Sequence, residues 1–154
     1  MNKTFKKWLC LGLAAFTLII LCSVSSWARE GSSEFKQGVK VTQLLKSMTT
    51  TIGQPIEFSK IKKPEVTAVK VEIPPGKETG WHKHPYPVYA YVLRGTLTLE
   101  IEGNKQLKFE PGSALFEVIN TLHNGKNLGK EPVTILVFFT AEAGQPYTVR
   151  ANKE

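Results

Sequence analysis

The sequence contains no aspartate, only three histidines and only two cysteines. Each scarcity excludes something. Without Asp there is no aspartic dyad, no Ser/His/Asp triad and no EF-hand loop. Acid–base or metal chemistry has to be assembled from the 13 glutamates, from lysine or tyrosine, or from His82, His84 and His123. A comfortable membrane span is also lacking: the uncharged, largely apolar stretch at 9–24 runs roughly 16 residues, short of the ~20 a bilayer requires.

What surrounds that stretch gives it a different meaning. Lys3, Lys6 and Lys7 precede it, and Ser26-Trp27-Ala28 forms a small-x-small site just before Arg29. A basic leader, a short apolar run and a small-residue site predict a secretory signal peptide over residues 1–28, cut after Ala28, and a periplasmic or secreted product. The alternatives are an uncleaved anchor and a lipoprotein attached at Cys22, the latter disfavoured by Leu21 where a small residue is expected. Cleavage removes Cys10 and Cys22 and leaves about 126 residues with no thiol and no membrane insertion, enough for one domain held by its core alone. The leader carries three of the 20 Lys and Arg and none of the 13 acids, so the remainder keeps a net charge of about +4. With its lysines scattered, this is no nucleic-acid footprint; it gives solubility and a slight preference for anionic ligands.

Residues 29–40 are polar and Gly/Ser-containing, and read as a flexible arm. Residues 41–48 place Val41, Leu44, Leu45 and Met48 at near-helical spacing, which fits one or two helical turns or an extended segment. From Ile56 onward short apolar alternations are separated by turn residues. The segments 66–73, 88–93, 96–101, 106–109, 114–118 and 133–140 read as strands, with residues 147–150 as a last edge strand. Seven or eight closely spaced strands and no long helix after residue 52 predict an all-β sandwich or barrel, one domain over residues 41–150.

His82 and His84 stand two apart at the edge of an extended segment, a spacing that puts both imidazoles on one face and Lys83 on the other. Two imidazoles on one strand are half of a common site for zinc, iron, copper, nickel or manganese. His123 lies nearly forty residues on, in the turn-rich run 119–125 at the end of another strand, so the fold has to bring it near. Packing of an H-x-H pair without any metal is the competing explanation.

The segment Gly80-x-His82-x-His84-Pro85, followed by a β run ending Arg94-Gly95, resembles the first motif of the cupin superfamily. Pro111-Gly112-Ser113, then His123 with Asn127 four residues later, resembles the second. Over about residues 66–140 the pattern is similar to that of small single-domain cupins. The resemblance implies a jelly-roll barrel of six to eight strands with the three histidines in its mouth. It also implies an acidic ligand after His84, but Val88 occupies that slot, and Tyr89 in the alternative register.

Three readings stay open. A divalent ion, iron, manganese, zinc or nickel, is held by three neutral imidazoles, keeps its full charge and favours an anionic or oxygen-rich small-molecule ligand. Alternatively Glu117, a charge inside the apolar run 114–118, supplies the missing carboxylate; if it points inward its burial demands a cation or a metal-bound histidine as partner. In the third, no metal binds and the histidines line a polar pocket. Trp81, Tyr86, Asn120 and Asn127 are candidate pocket residues beside the histidines. Cupins span oxygenases, isomerases and non-catalytic binding modules, so the resemblance implies either a metal-dependent enzyme or a periplasmic binding or accessory protein. Tyr89, Tyr91 and the run 133–139 are apolar enough on both faces for a homodimer of the kind small cupins form.

Overall fold

Alternation dictates most of the architecture. The computed structural model describes residues 38–151; the leader at 1–28 and most of the arm at 29–40 lie outside them. Nine strands follow in order: β1 (Pro64–Ile73), β2 (His82–Lys83), β3 (Val88–Arg94), β4 (Leu97–Ile101), β5 (Lys105–Phe109), β6 (Ala114–Phe116), β7 (His123–Lys126), β8 (Val133–Glu142) and β9 (Val149–Arg150). They form a four-stranded sheet in the order β1-β8-β3-β6 and a five-stranded sheet in the order β5-β4-β7-β2-β9, all named pairs antiparallel. The two sheets face each other as a jelly roll. Among the described residues no helix is long and apolar enough to cross a membrane, and residues 41–48 are exposed and form neither helix nor strand.

Every second residue of β3 and β8 points inward, since side chains alternate across a strand. Val88, Ala90 and Val92 of β3 and Val133, Ile135, Val137 and Phe139 of β8 are buried, and Leu97, Leu99 and Ile101 of β4 meet them from the other sheet. The opposite face of the four-stranded sheet is mixed, with the Lys70–Glu72 ion pair at one end of β1 and an apolar row across its middle. Ala68, Phe138, Tyr89 and Phe116 fall in one cross-strand row, with Val66 and Leu93 also exposed.

Two short strands depart from the sequence reading. His123 does not end another strand but begins β7, whose residues His-Asn-Gly-Lys carry little β propensity of their own. Pairing with β4 on one side and β2 on the other holds them extended. β2 has only two residues, fixed between β7 and β9.

Candidate metal centre

The β2–β7 register sets His82 directly opposite His123. Directly opposed residues project to the same face, and His84 follows two positions after His82. The three rings accordingly converge, with centroids 4.9 Å apart for His82–His84, 4.4 Å for His82–His123 and 4.9 Å for His84–His123. One ligand atom from each lies within 4.8 Å of the others. His84 and His123 are 3 % and 1 % exposed, and Glu117 only 7 %.

Glu117 follows β6, and its backbone N–H donates to the Val88 carbonyl at 3.0 Å. The carboxylate thus comes from the chain running beside Val88, the position the family pattern reserves for an acid. Its Oε2 lies 3.1 Å from His84 Nε2 and 3.3 Å from His123 Nε2. Donors that share one ion through bonds of ~2.1 Å at right angles stand about 3 Å apart.

Hydrogen bookkeeping makes the donor set specific. His82 Nδ1 faces the Gly80 carbonyl at 2.7 Å, His84 Nδ1 the Tyr147 carbonyl at 2.9 Å, and His123 Nδ1 the Thr121 carbonyl at 2.9 Å. A carbonyl can only accept, so each Nδ1 carries the hydrogen, and a neutral ring then presents a bare lone pair at Nε2. For His84 and His123 that lone pair confronts a carboxylate oxygen. His123 Nε2 is buried and has no hydrogen-bond partner among the described residues. A cation between these atoms resolves the conflict, and backbone carbonyls behind the rings are the usual means of orienting metal-binding histidines. The three histidines could therefore hold a metal ion.

The electrostatics agree with that role. Burial, reinforced by His123 and His84 and opposed by the Gly80 hydrogen bond and Glu117, lowers the His82 pKa to about 4 and leaves this ring neutral near pH 7. Burial pushes the Glu117 carboxyl up, but the adjoining His123 and His84 rings outweigh it and hold the group well below the usual carboxylate range.

These side chains line one end of a cavity of about 260 Å³ between the sheets. The rest of the lining is mostly aliphatic, with Val69, Val71, Leu97, Leu99, Ile135 and Val137 beside Phe139. Tyr147, Thr148 and Arg150 complete the lining from the C-terminal segment, which the sequence marked only as an edge strand. The signal that could have found them is the need of the short H-x-H strand for a neighbour on its open side.

None of the four candidate pocket residues lines this cavity. Trp81 is one residue out of phase with His82 and is 38 % exposed. Tyr86 and Asn120 line a separate surface cleft with Gln54, Glu57 and Lys60. Asn127 is buried as a structural clamp: its Nδ2 donates to the carbonyls of Ile73 and Glu131, both at 2.8 Å, and its Oδ1 accepts from Gly129 N at 2.9 Å. Asn127→Ala is expected to cost about 2 kcal/mol by orphaning these groups while leaving metal content unchanged. Chemical denaturation with metal analysis checks both; a loss of metal at unchanged stability would place Asn127 in the site instead.

No curated protein matches the sequence. Among solved structures the chain is similar to a DMSP lyase from Ruegeria pomeroyi (22% identity, TM-score 0.49, covering 55% of this chain and 42% of that one). It is also similar to a Bacillus subtilis oxalate decarboxylase (19%, TM-score 0.49, 55% and 23%) and to a Thermotoga maritima protein described as a predicted oxalate decarboxylase (24%, TM-score 0.43, 47% and 64%). The chain spans less than two thirds of the length of each. Residues 69–139, which carry all three histidines and Glu117 and include most of both sheets, match the cupin domain model, and this stretch of the chain is a cupin domain.

Proposed function

We propose that this cupin binds one divalent metal ion through His82, His84, His123 and Glu117 and uses it to hold a small oxygen-rich or anionic ligand, as a metal-dependent enzyme. The observation that carries this reading is the set of Nε2 lone pairs that converge on one another and on a buried carboxylate while every Nδ1 is engaged by a carbonyl. A divalent ion there supplies Lewis acidity toward a bound oxygen ligand and, if iron or manganese, redox chemistry. The chain's own residues orient the rings through Gly80, Tyr147 and Thr121, exclude water with the aliphatic walls, and leave Glu117 ionised. Metal analysis of the untagged protein after metal-replete expression tests the proposal. About one ion per chain is expected; a content far below that overturns the metal reading and leaves a non-catalytic binding module.

Two further parts of the reading come from elsewhere in the molecule. Residues 1–28 act as an export signal cut after Ala28, placing the protein in the periplasm or outside the cell, and the N-terminal mass of the isolated protein tests it. The apolar row Ala68, Phe138, Tyr89 and Phe116 supports a homodimer through the outer face of the four-stranded sheet. A sedimentation mass of one chain would remove that part.

A further inference from the structure

We infer that Arg150 is the residue that recognises the ligand, and that the ligand is a short aliphatic carboxylate; the inference rests on the metal-centre reading above and adds a substrate class to it. Arg150 sits on β9 directly opposite His82 of β2, so its side chain leaves the sheet on the same face as the imidazole. It lines the cavity, and its guanidinium packs over Gly80, where an added Cβ would lie 3.7 Å from Nη1.

Among the described residues the Lys and Arg side chains that form ion pairs do so away from this cavity: Arg94 with Glu131, Lys70 with Glu72, and Lys126 with Glu78 and Glu100. Arg150 has no ion-pair or hydrogen-bond partner among the described residues, and it is the cation of the cavity lining. With Glu117 as the one lining acid, a divalent ion and Arg150 together leave that end of the cavity about two charges positive, an arrangement that calls for an anion.

The shape selects among anions. A guanidinium matches the two oxygens of a carboxylate as a planar fork, and inorganic phosphate, which has no hydrocarbon body, would leave the apolar part of the lining unfilled. Beyond the polar end the walls are Val69, Leu97, Leu99, Ile135, Val137 and Phe139, which favour a hydrocarbon body. At about 260 Å³ the cavity lies under the ~300–1,000 Å³ of drug-sized sites, so that body is short. The acid group sits at the rim with Arg150 and the chain extends between the sheets.

Calorimetric titration of the metal-loaded protein with butyrate, butyramide and inorganic phosphate tests this, with metal content and thermal unfolding measured on every variant. Butyrate is expected to bind more tightly than butyramide or phosphate. Arg150→Gln weakens butyrate by about 10–100-fold, the worth of a charged hydrogen bond, and Arg150→Lys, which keeps the charge but not the fork, falls between. Arg94→Gln binds as the unmodified protein does, and the metal content of all variants stays the same. Equal butyrate binding by Arg150→Gln or Arg150→Lys and the unmodified protein overturns the inference, as does equal binding of butyramide or phosphate. A protein that holds no metal yet binds butyrate through Arg150 instead overturns the metal-centre reading and leaves this one standing.

Discussion

Replacing Glu117 by Gln lowers the affinity for a divalent ion by at least the ~10–100-fold that the loss of an outer hydrogen-bond partner costs a metal site, and His123→Ala lowers it further. The Gln side chain keeps the shape of Glu117 but removes the negative charge that faces two Nε2 atoms at 3.1 and 3.3 Å. His123→Ala removes a lone pair that is buried and directly opposite His82. Titration against a competing chelator reads both. A second exchange isolates the role of position: because Glu117 N–H is bonded to the Val88 carbonyl, moving the acid across in the double variant Glu117→Val, Val88→Glu should recover part of the lost affinity. If Glu117→Gln binds metal as tightly as the unmodified protein, the centre is made of three histidines alone.

A stability loss of about 3 kcal/mol is expected for Gly95→Ala, a fall in Tm on the order of 10 °C. Gly95 links β3 to β4 at φ +70°, in a left-handed conformation that a side chain disfavours by roughly 1–2 kcal/mol. A Cβ there would also stand 2.7 Å from the Pro132 carbonyl oxygen and 3.0 Å from Val133 Cα. Both are backbone atoms where the chain enters β8, and the β3–β8 register shifts between Val92 and Arg94 just before this corner. Gly103→Ala is the control, since φ is +88° but the space is open, leaving only the conformational cost. Equal falls in Tm for the two variants would show that the close approach to β8 does not matter.

The fold was legible where side chains alternate in a run long enough to declare its period. The inward positions of residues 88–93 and 133–140 are aliphatic or aromatic throughout, and those of 66–73 are so except for Thr67; these runs became β3, β8 and β1. Period two assigns a face but not a neighbour, so the division into four and five strands could not be read, nor could β7, which is extended because β4 and β2 pair with it. The same limit governs the site. His82 and His84 share a face by spacing alone, and by that rule Trp81 belongs on the other; choosing it, Tyr86 and Asn120 followed nearness in sequence rather than phase. Glu117 stood out as a charge in an apolar run. That it lies beside Val88, the family's empty acid slot, is a property of strand pairing. Arg150 reaches the cavity only through its register with His82, some seventy residues away in the chain.

The origin of the four donors has a consequence for how the molecule stays folded. His82 and His123 belong to the five-stranded sheet and His84 directly follows β2, while Glu117 hangs from the chain bonded to Val88 in the four-stranded one. An ion bound by all four would rivet one sheet to the other. Both cysteines, Cys10 and Cys22, lie outside the described residues, so such an ion would be a cross-link between the sheets of the kind that disulfides supply elsewhere. No single stretch of unfolded chain carries the full donor set, so such an ion would bind the native state preferentially and add about 2.7 kcal/mol at a free concentration one hundred times its Kd. Occupancy and folding would then be linked, and the free metal concentration of the surroundings would raise or lower the stability of the barrel.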